Sequence, residues 1–235
     1  ALRAAGNLPA PRKSGLVQAQ RVLKNVKGIA FNRFESGDVV PAERIDTYID
    51  RGPESRHVIR RLRRLTEQRP GDVICLKGNH EDMLLYAIDN PHDVFWWIDN
   101  GGDTTLASYG ATSIEDLPAD DIAWIRQLPL CHDDGLRFFV HAGIDPIISL
   151  DHQDRMTMLW TRKRYSDDLN PGRFIVHGHT PLRSAYPEQR PYRLNLDTGA
   201  VFGGPLSAAV FTADQAAPVA LLVGAKVFSA DYVAA

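Results

Sequence analysis

Asp72-Val73-Ile74-Cys75-Leu76-Lys77-Gly78-Asn79-His80-Glu81 is a short apolar run that stops at a Gly-Asn-His-Glu tetrad. A run of that length, bounded by turn residues, reads as a buried strand delivering a loop. The same order recurs at Leu136-Arg137-Phe138-Phe139-Val140, which ends on His141, and at Arg173-Phe174-Ile175-Val176, which precedes His177-Gly178-His179. In layered α/β folds the ligand-binding groups sit beyond the carboxyl ends of strands. The repeated strand-then-ligand order therefore predicts an α/β fold with one convergent site.

Helical stretches separate these strands. Residues Ser55 to Glu67 place Val58, Ile59, Leu62 and Leu65 on one face, with Arg60, Arg61, Arg63 and Arg64 read as a solvated face. A helix is expected from Met83 to Ile88 after the Gly-Asn-His-Glu loop, broken by Pro91, and another from Pro118 to Leu128. Trp96 and Trp97 read as core or lid packing, and Gly101-Gly102-Asp103 as a turn. From Arg193 onward the pattern is strand-rich, which suits a β-sandwich flanked by helices.

At 235 residues and 44% apolar content the chain suits a single domain with a substantial core. Its formal charge of -2 excludes nucleic acid as the main partner, since backbone binding needs a basic surplus. The two cysteines, Cys75 and Cys131, lie in apolar surroundings and read as buried free thiols of a reducing, cytoplasmic compartment. No apolar run approaches the roughly 20 residues needed to span a bilayer, so no membrane is expected as partner. Residues 1–34 carry seven basic and no acidic side chains, a shift from the slightly acidic remainder.

The loop residues carry the chemistry. An Asn oxygen and two imidazoles, from Asn79, His141 and His179, form a mixed oxygen and nitrogen donor set that suits Mn, Fe or Zn better than Ca. His80, beside Asn79, can serve as a general acid, with Asp50 fixing and charging its imidazole. Arg51 offers a planar fork for a phosphoryl group. A turn with a local ion pair is the other reading of Asp50-Arg51-Gly52-Pro53.

Taken together, Tyr48 to Phe211 resembles the bacterial branch of the phosphoprotein phosphatases, Ser/Thr protein phosphatases within the calcineurin-like metallophosphoesterases. The matching stretches are Tyr48 to Ser55, Gly78 to Leu84, Asn100 to Leu106, Phe139 to Gly143, Leu159 to Arg162, Val176 to Pro181 and Asn195 to Ala200. The resemblance implies a four-layer α/β/β/α fold and two divalent metal ions that cleave phosphomonoesters. It assigns Asn79, His141 and His179 to the second metal, His80 with Asp50 to the acid pair, and Arg51 and Arg162 to the phosphate. The substrate it implies is a phosphorylated protein or a small phosphoester.

Two parts of that pattern differ. The bridging carboxylate falls at Thr47, and Asp46, the nearest candidate ligand, is one residue off, on the opposite face of an extended strand unless a bulge realigns it. The Asp-x-His pair of the first metal has no counterpart, since no His precedes His57. Residues 1–47 read either as a diverged segment that leaves a single metal site, or as a stretch out of register with the natural chain. Three functions are in view: a phosphoserine/phosphothreonine phosphatase, a symmetrical dinucleoside-tetraphosphate hydrolase, and a metal-deficient binder of phosphorylated partners. Asp50 favours the first.

Overall fold

The computed structural model describes residues 28–31, 43–45, 48–224 and 226–229, with side chains from residue 48 to residue 224. In chain order the strands are β1 (Gly28–Phe31), β2 (Glu43–Ile45), β3 (Ile74–Cys75), β4 (Cys131–Asp133), β5 (Arg137–Val140) and β6 (Phe174–His177). They continue as β7 (Glu188–Arg190), β8 (Arg193–Asn195), β9 (Ser207–Phe211), β10 (Ala220–Val223) and β11 (Lys226–Ser229). The α-helices are α1 (Ser55–Gln68), α2 (Asn79–Asp89), α3 (Val94–Trp97), α4 (Asp103–Tyr109), α5 (Ala119–Gln127) and α6 (Arg155–Trp160).

Two mixed sheets result, one ordered β11-β10-β9-β1-β2-β3 and the other β4-β5-β6-β8-β7. Alternation decides which side chains meet between them. Phe139, Phe174, Val176 and Leu194 from one sheet join Ala209, Phe211 and Leu221 from the other in a single buried cluster. Phe139 and Phe211 meet edge to face at 5.8 Å, the arrangement that aromatic quadrupoles favour. The opposite faces are covered as well. Phe138, Val140 and Ile175 pack under Met158 of α6, while α1, α2, α3 and α5 bury Ile59, Leu62, Met83, Leu84, Trp97 and Ile125 against Val73 and Cys75. Among the described residues, no helix is long and apolar enough to cross a membrane.

Several local expectations change. The helix expected from Met83 begins at Asn79, because the Glu81 carboxylate accepts the Gly78 N–H at 2.9 Å and so closes the first turn. Gly101 and Gly102 lie in a wide helical turn (Ile98–Gly102) joining α3 to α4, with Gly101 at φ 106°. Arg63 of the arginine face is paired with Asp121, while Arg60 and Arg64 are exposed. Cys131 is only partly buried because β4 is the edge strand of its sheet. Of the two tryptophans expected in core or lid packing, Trp97 is fully buried, and Trp96, 45% exposed, packs at the surface against Trp160 and Tyr86.

Parallel pairing sets the position of the site. β1, β2 and β3 run parallel, as do β5, β6 and β8. The carboxyl ends of β2, β3, β5 and β6 lead to Asp50, Asn79, His141 and His179 in turn, so each of these candidate site residues follows a strand end.

Candidate metal centre

His141 follows β5 directly and is buried, and its Nε2 lies 2.8 Å from Asn79 Oδ1 and 3.1 Å from Nδ1 of His179. Burial pushes the His141 imidazole down to about 3, helped by the nearby His80. Burial likewise holds His179 at about 3, with His141 and Arg162 adding to the effect. Both rings are therefore neutral at physiological pH, the form in which imidazole binds a cation. Adjacent ligands of an octahedral cation with bonds of about 2.1 Å stand about 3 Å apart, so the spacings from His141 to Asn79 and to His179 fit such an ion. Among the described residues no group of three His, Cys, Asp or Glu side chains converges, and the set depends on the Asn79 amide oxygen. Asp46 lies outside the described residues.

The second constellation is next to the first. His80, in the first turn of α2, places Nδ1 2.7 Å from Oδ2 of Asp50, and both side chains are buried. A carboxylate only accepts, so Nδ1 carries one proton toward Asp50, and Nε2 is the ring atom free to take up and release a second. The Asp50 carboxylate has further partners that the sequence did not suggest, Trp97 and Thr105 among them. Trp97 donates its indole N–H to both oxygens at 3.1 Å, and the Thr105 hydroxyl donates to Oδ1 at 2.7 Å. The match over Asn100 to Leu106 was the one available signal for this contact.

Of the two arginines, Arg162 stands beside the donor set, and Arg51 lies in the Asp50 loop. Arg51 is exposed and follows Asp50 with a left-handed backbone, φ 56°. Arg162 is exposed, with Nε 3.5 Å from His179 Nε2, the outer limit of a hydrogen bond. Behind His179 stands Trp160, edge-on at 6.1 Å, which in turn stacks on Trp96 at 5.9 Å. Sequence reasoning also passed over Glu81. Its carboxylate accepts N–H groups from Tyr48, Ile49 and Gly78, so one buried side chain ties the Asp50 loop to the start of α2. Burial raises it to about 7 against the pull of the Tyr48 amide.

Two face-to-face mixed sheets, flanking helices and a donor set at the carboxyl ends of strands define a metallophosphoesterase-type hydrolase. The chain belongs to the calcineurin-like phosphoesterase family, whose profile matches residues 35–208, and with it to enzymes that hydrolyse phosphoesters with divalent metals. It is 30% identical over 171 residues to serine/threonine-protein phosphatase 1 of Salmonella typhimurium, covering 68% of this chain and 74% of that one. It is 31% identical over 185 residues to the asymmetrical bis(5'-nucleosyl)-tetraphosphatase PrpE of Halalkalibacterium halodurans, covering 69% and 71%. Among solved structures, a putative diadenosine tetraphosphatase superposes with a TM-score of 0.60 at 19% identity, covering 85% of this chain and 94% of that one. A protein serine/threonine phosphatase from Saccharomyces cerevisiae gives 0.56 at 17%, covering 88% and 80%. These structural likenesses establish the fold. The dinucleotide relative is of the asymmetrical kind, where the sequence reading expected the symmetrical one.

Proposed function

We propose that the chain is a metal-dependent phosphomonoesterase acting on phosphoserine and phosphothreonine in proteins. The observation that carries this reading is the buried Asp50–His80 pair beside the Asn79, His141 and His179 donors. Asn79, His141 and His179 would hold a divalent ion, which when bound polarises the phosphoryl group and makes a water more acidic. Arg51 and Arg162 orient the phosphoryl oxygens through charge-assisted hydrogen bonds. As the P–O bond to the leaving group breaks, its electron pair goes to the ester oxygen, which takes a proton from Nε2 of His80. Water adds to phosphorus, keeping one proton on the new phosphate hydroxyl and returning the other to Nε2 of His80, so the products are inorganic phosphate and the free hydroxyl and the acid is restored. Asp50 stabilises the ring while it holds the proton to be transferred.

A second reading, cleavage of a dinucleoside tetraphosphate, is favoured by the Trp96–Trp160 stack beside His179, an aromatic wall against which a base could lie. The two are separated by comparing kcat/KM on a phosphoserine peptide and on diadenosine tetraphosphate with manganese(II) present. The peptide is expected to be preferred by at least about tenfold, a difference of about 1.4 kcal/mol in transition-state binding. Preference for the dinucleotide would replace the first reading by the second. Binding of the phosphopeptide without turnover would make the chain a phosphate-recognition module.

A further inference from the structure

The helical turn Ile98–Gly102 joins Trp97 at the end of α3 to Thr105 in the first turn of α4, and Gly101 in it packs on the Asp50–Arg51 loop. A Cβ on Gly101, whose φ is +106°, would meet the Arg51 backbone nitrogen at 2.9 Å, and one on Gly102 would meet the Trp97 ring at 2.5 Å. Without those atoms the turn closes onto the loop. The loop needs support, because Asp50 at φ 66° and Arg51 at φ 56° are consecutive non-glycine residues in the left-handed region, a conformation that side chains disfavour. Gly52 N–H donates to Asp50 O at 2.7 Å within the loop. Further support comes from Thr105, whose hydroxyl oxygen accepts the Asp50 N–H at 2.9 Å and donates its own proton to Asp50 Oδ1 at 2.7 Å. Thr105 thus holds the backbone and the carboxylate of one residue at once. Ser55 Oγ, at 3.3 Å, is the weaker acceptor for that single proton.

Trp97 completes the clamp. Its indole N–H is shared between the two carboxylate oxygens, which fixes the plane of the carboxylate and leaves Oδ2 facing His80 Nδ1. Trp97 and Thr105 are buried to within 1% of complete exclusion from solvent, so no water competes for these bonds.

We propose that Trp97 and Thr105 are positioning residues for proton delivery: they lock the Asp50 carboxylate so that His80 keeps its Nδ1–H on Asp50 and presents a second proton, on Nε2, to the leaving oxygen. The inference rests on the phosphomonoesterase reading for its catalytic half, while its structural half can be measured without turnover. A group that orients a general acid matters in proportion to how much the leaving group needs a proton. A group that only supports the fold affects all esters alike.

The test uses the full chain with manganese(II) and two esters, phenyl phosphate with a basic leaving group and 2,4-dinitrophenyl phosphate with a weakly basic one. Thr105→Val and Trp97→Phe are expected to lower kcat on phenyl phosphate roughly 10- to 100-fold, and on the dinitrophenyl ester by less than about threefold, with KM little changed, a fraction of what full loss of a general acid costs. Thr105→Ser, which keeps the hydroxyl, should recover the phenyl phosphate rate to within about threefold of wild type. In parallel, histidine side-chain NMR of the metal-free protein should show a slowly exchanging His80 Nδ1–H in wild type and Thr105→Ser that is lost in Thr105→Val. Equal losses on both esters, or a persistent Nδ1–H in Thr105→Val, would overturn the inference. If wild type cleaves neither ester, the phosphomonoesterase reading fails, and the NMR comparison alone decides whether Thr105 orients the pair.

Discussion

His80 sits one residue from Asn79, and the directions of the two side chains separate their roles. Asn79 Oδ1 points at His141, whereas His80 Nδ1 points at Asp50. His80→Asn is therefore expected to lower kcat on phenyl phosphate by roughly 10²–10⁴-fold, the usual contribution of a general acid, with the metal content of the dialysed protein unchanged. Loss of the metal in that variant would instead make His80 a ligand. The two arginines act differently, through a planar fork that lysine lacks. Arg51→Lys and Arg162→Lys should each weaken inhibition by inorganic phosphate about tenfold, a loss of about 1.4 kcal/mol in line with a charge-assisted hydrogen bond. An unchanged inhibition constant in both variants would place these arginines outside the phosphate site.

At the scale of elements, the start of α2 and the Asp50 loop are one unit because of Glu81. Its fully buried carboxylate takes the N–H groups of Tyr48 and Ile49 on Oε1 and that of Gly78 on Oε2. Glu81→Gln keeps the shape but turns one oxygen into an N–H₂ that faces a donor, so at least one buried N–H loses its acceptor, at a cost of about 1–3 kcal/mol. The metal-free variant should melt several degrees lower by calorimetry, since about 1 kcal/mol is worth roughly 2–4 °C in a domain of this size; an unshifted transition would mean that Glu81 carries no such load. This unit marks the limit of what the sequence discloses. The strands ending on Asn79, His141 and His179 are readable because apolar runs and turn residues are local signals. The beginning of α2 at Asn79 is not, since Gly78 has no capping side chain and the closing bond comes from Glu81, three residues later. Trp97 and Thr105 reach Asp50 across 47 and 55 residues of chain, a separation that periodicity does not register. Trp97 was read as packing, and its burial agrees with that reading, but the indole N–H adds a polar role that no apolar pattern encodes.

Over the whole molecule, the donor set is assembled from both sheets. Asn79 follows β3 of the six-stranded sheet, while His141 and His179 follow β5 and β6 of the other. A cation bound there would bridge the two halves of the sandwich and act on the stability of the entire fold, because it binds the native state and finds no assembled site in the unfolded chain. Manganese(II) at a hundredfold excess over its dissociation constant should add about 2.7 kcal/mol, or roughly 5–10 °C in the melting temperature, and a chelator should reverse the shift. His141→Ala should abolish it, since removing His141 takes away the atom nearest to both other donors. The expected stoichiometry is one tightly held ion per chain. Asn79, His141 and His179 supply one set of donors, and Thr47 stands where the family's bridging carboxylate is expected. Elemental analysis of the dialysed protein measures this directly. A value of two would mean that residues 1–47 contribute ligands in spite of that substitution, with Asp46 the first side chain to replace. A value of zero, together with no thermal shift, would mean that the three donors are satisfied by bonding to one another and that the chain recognises phosphate without a metal.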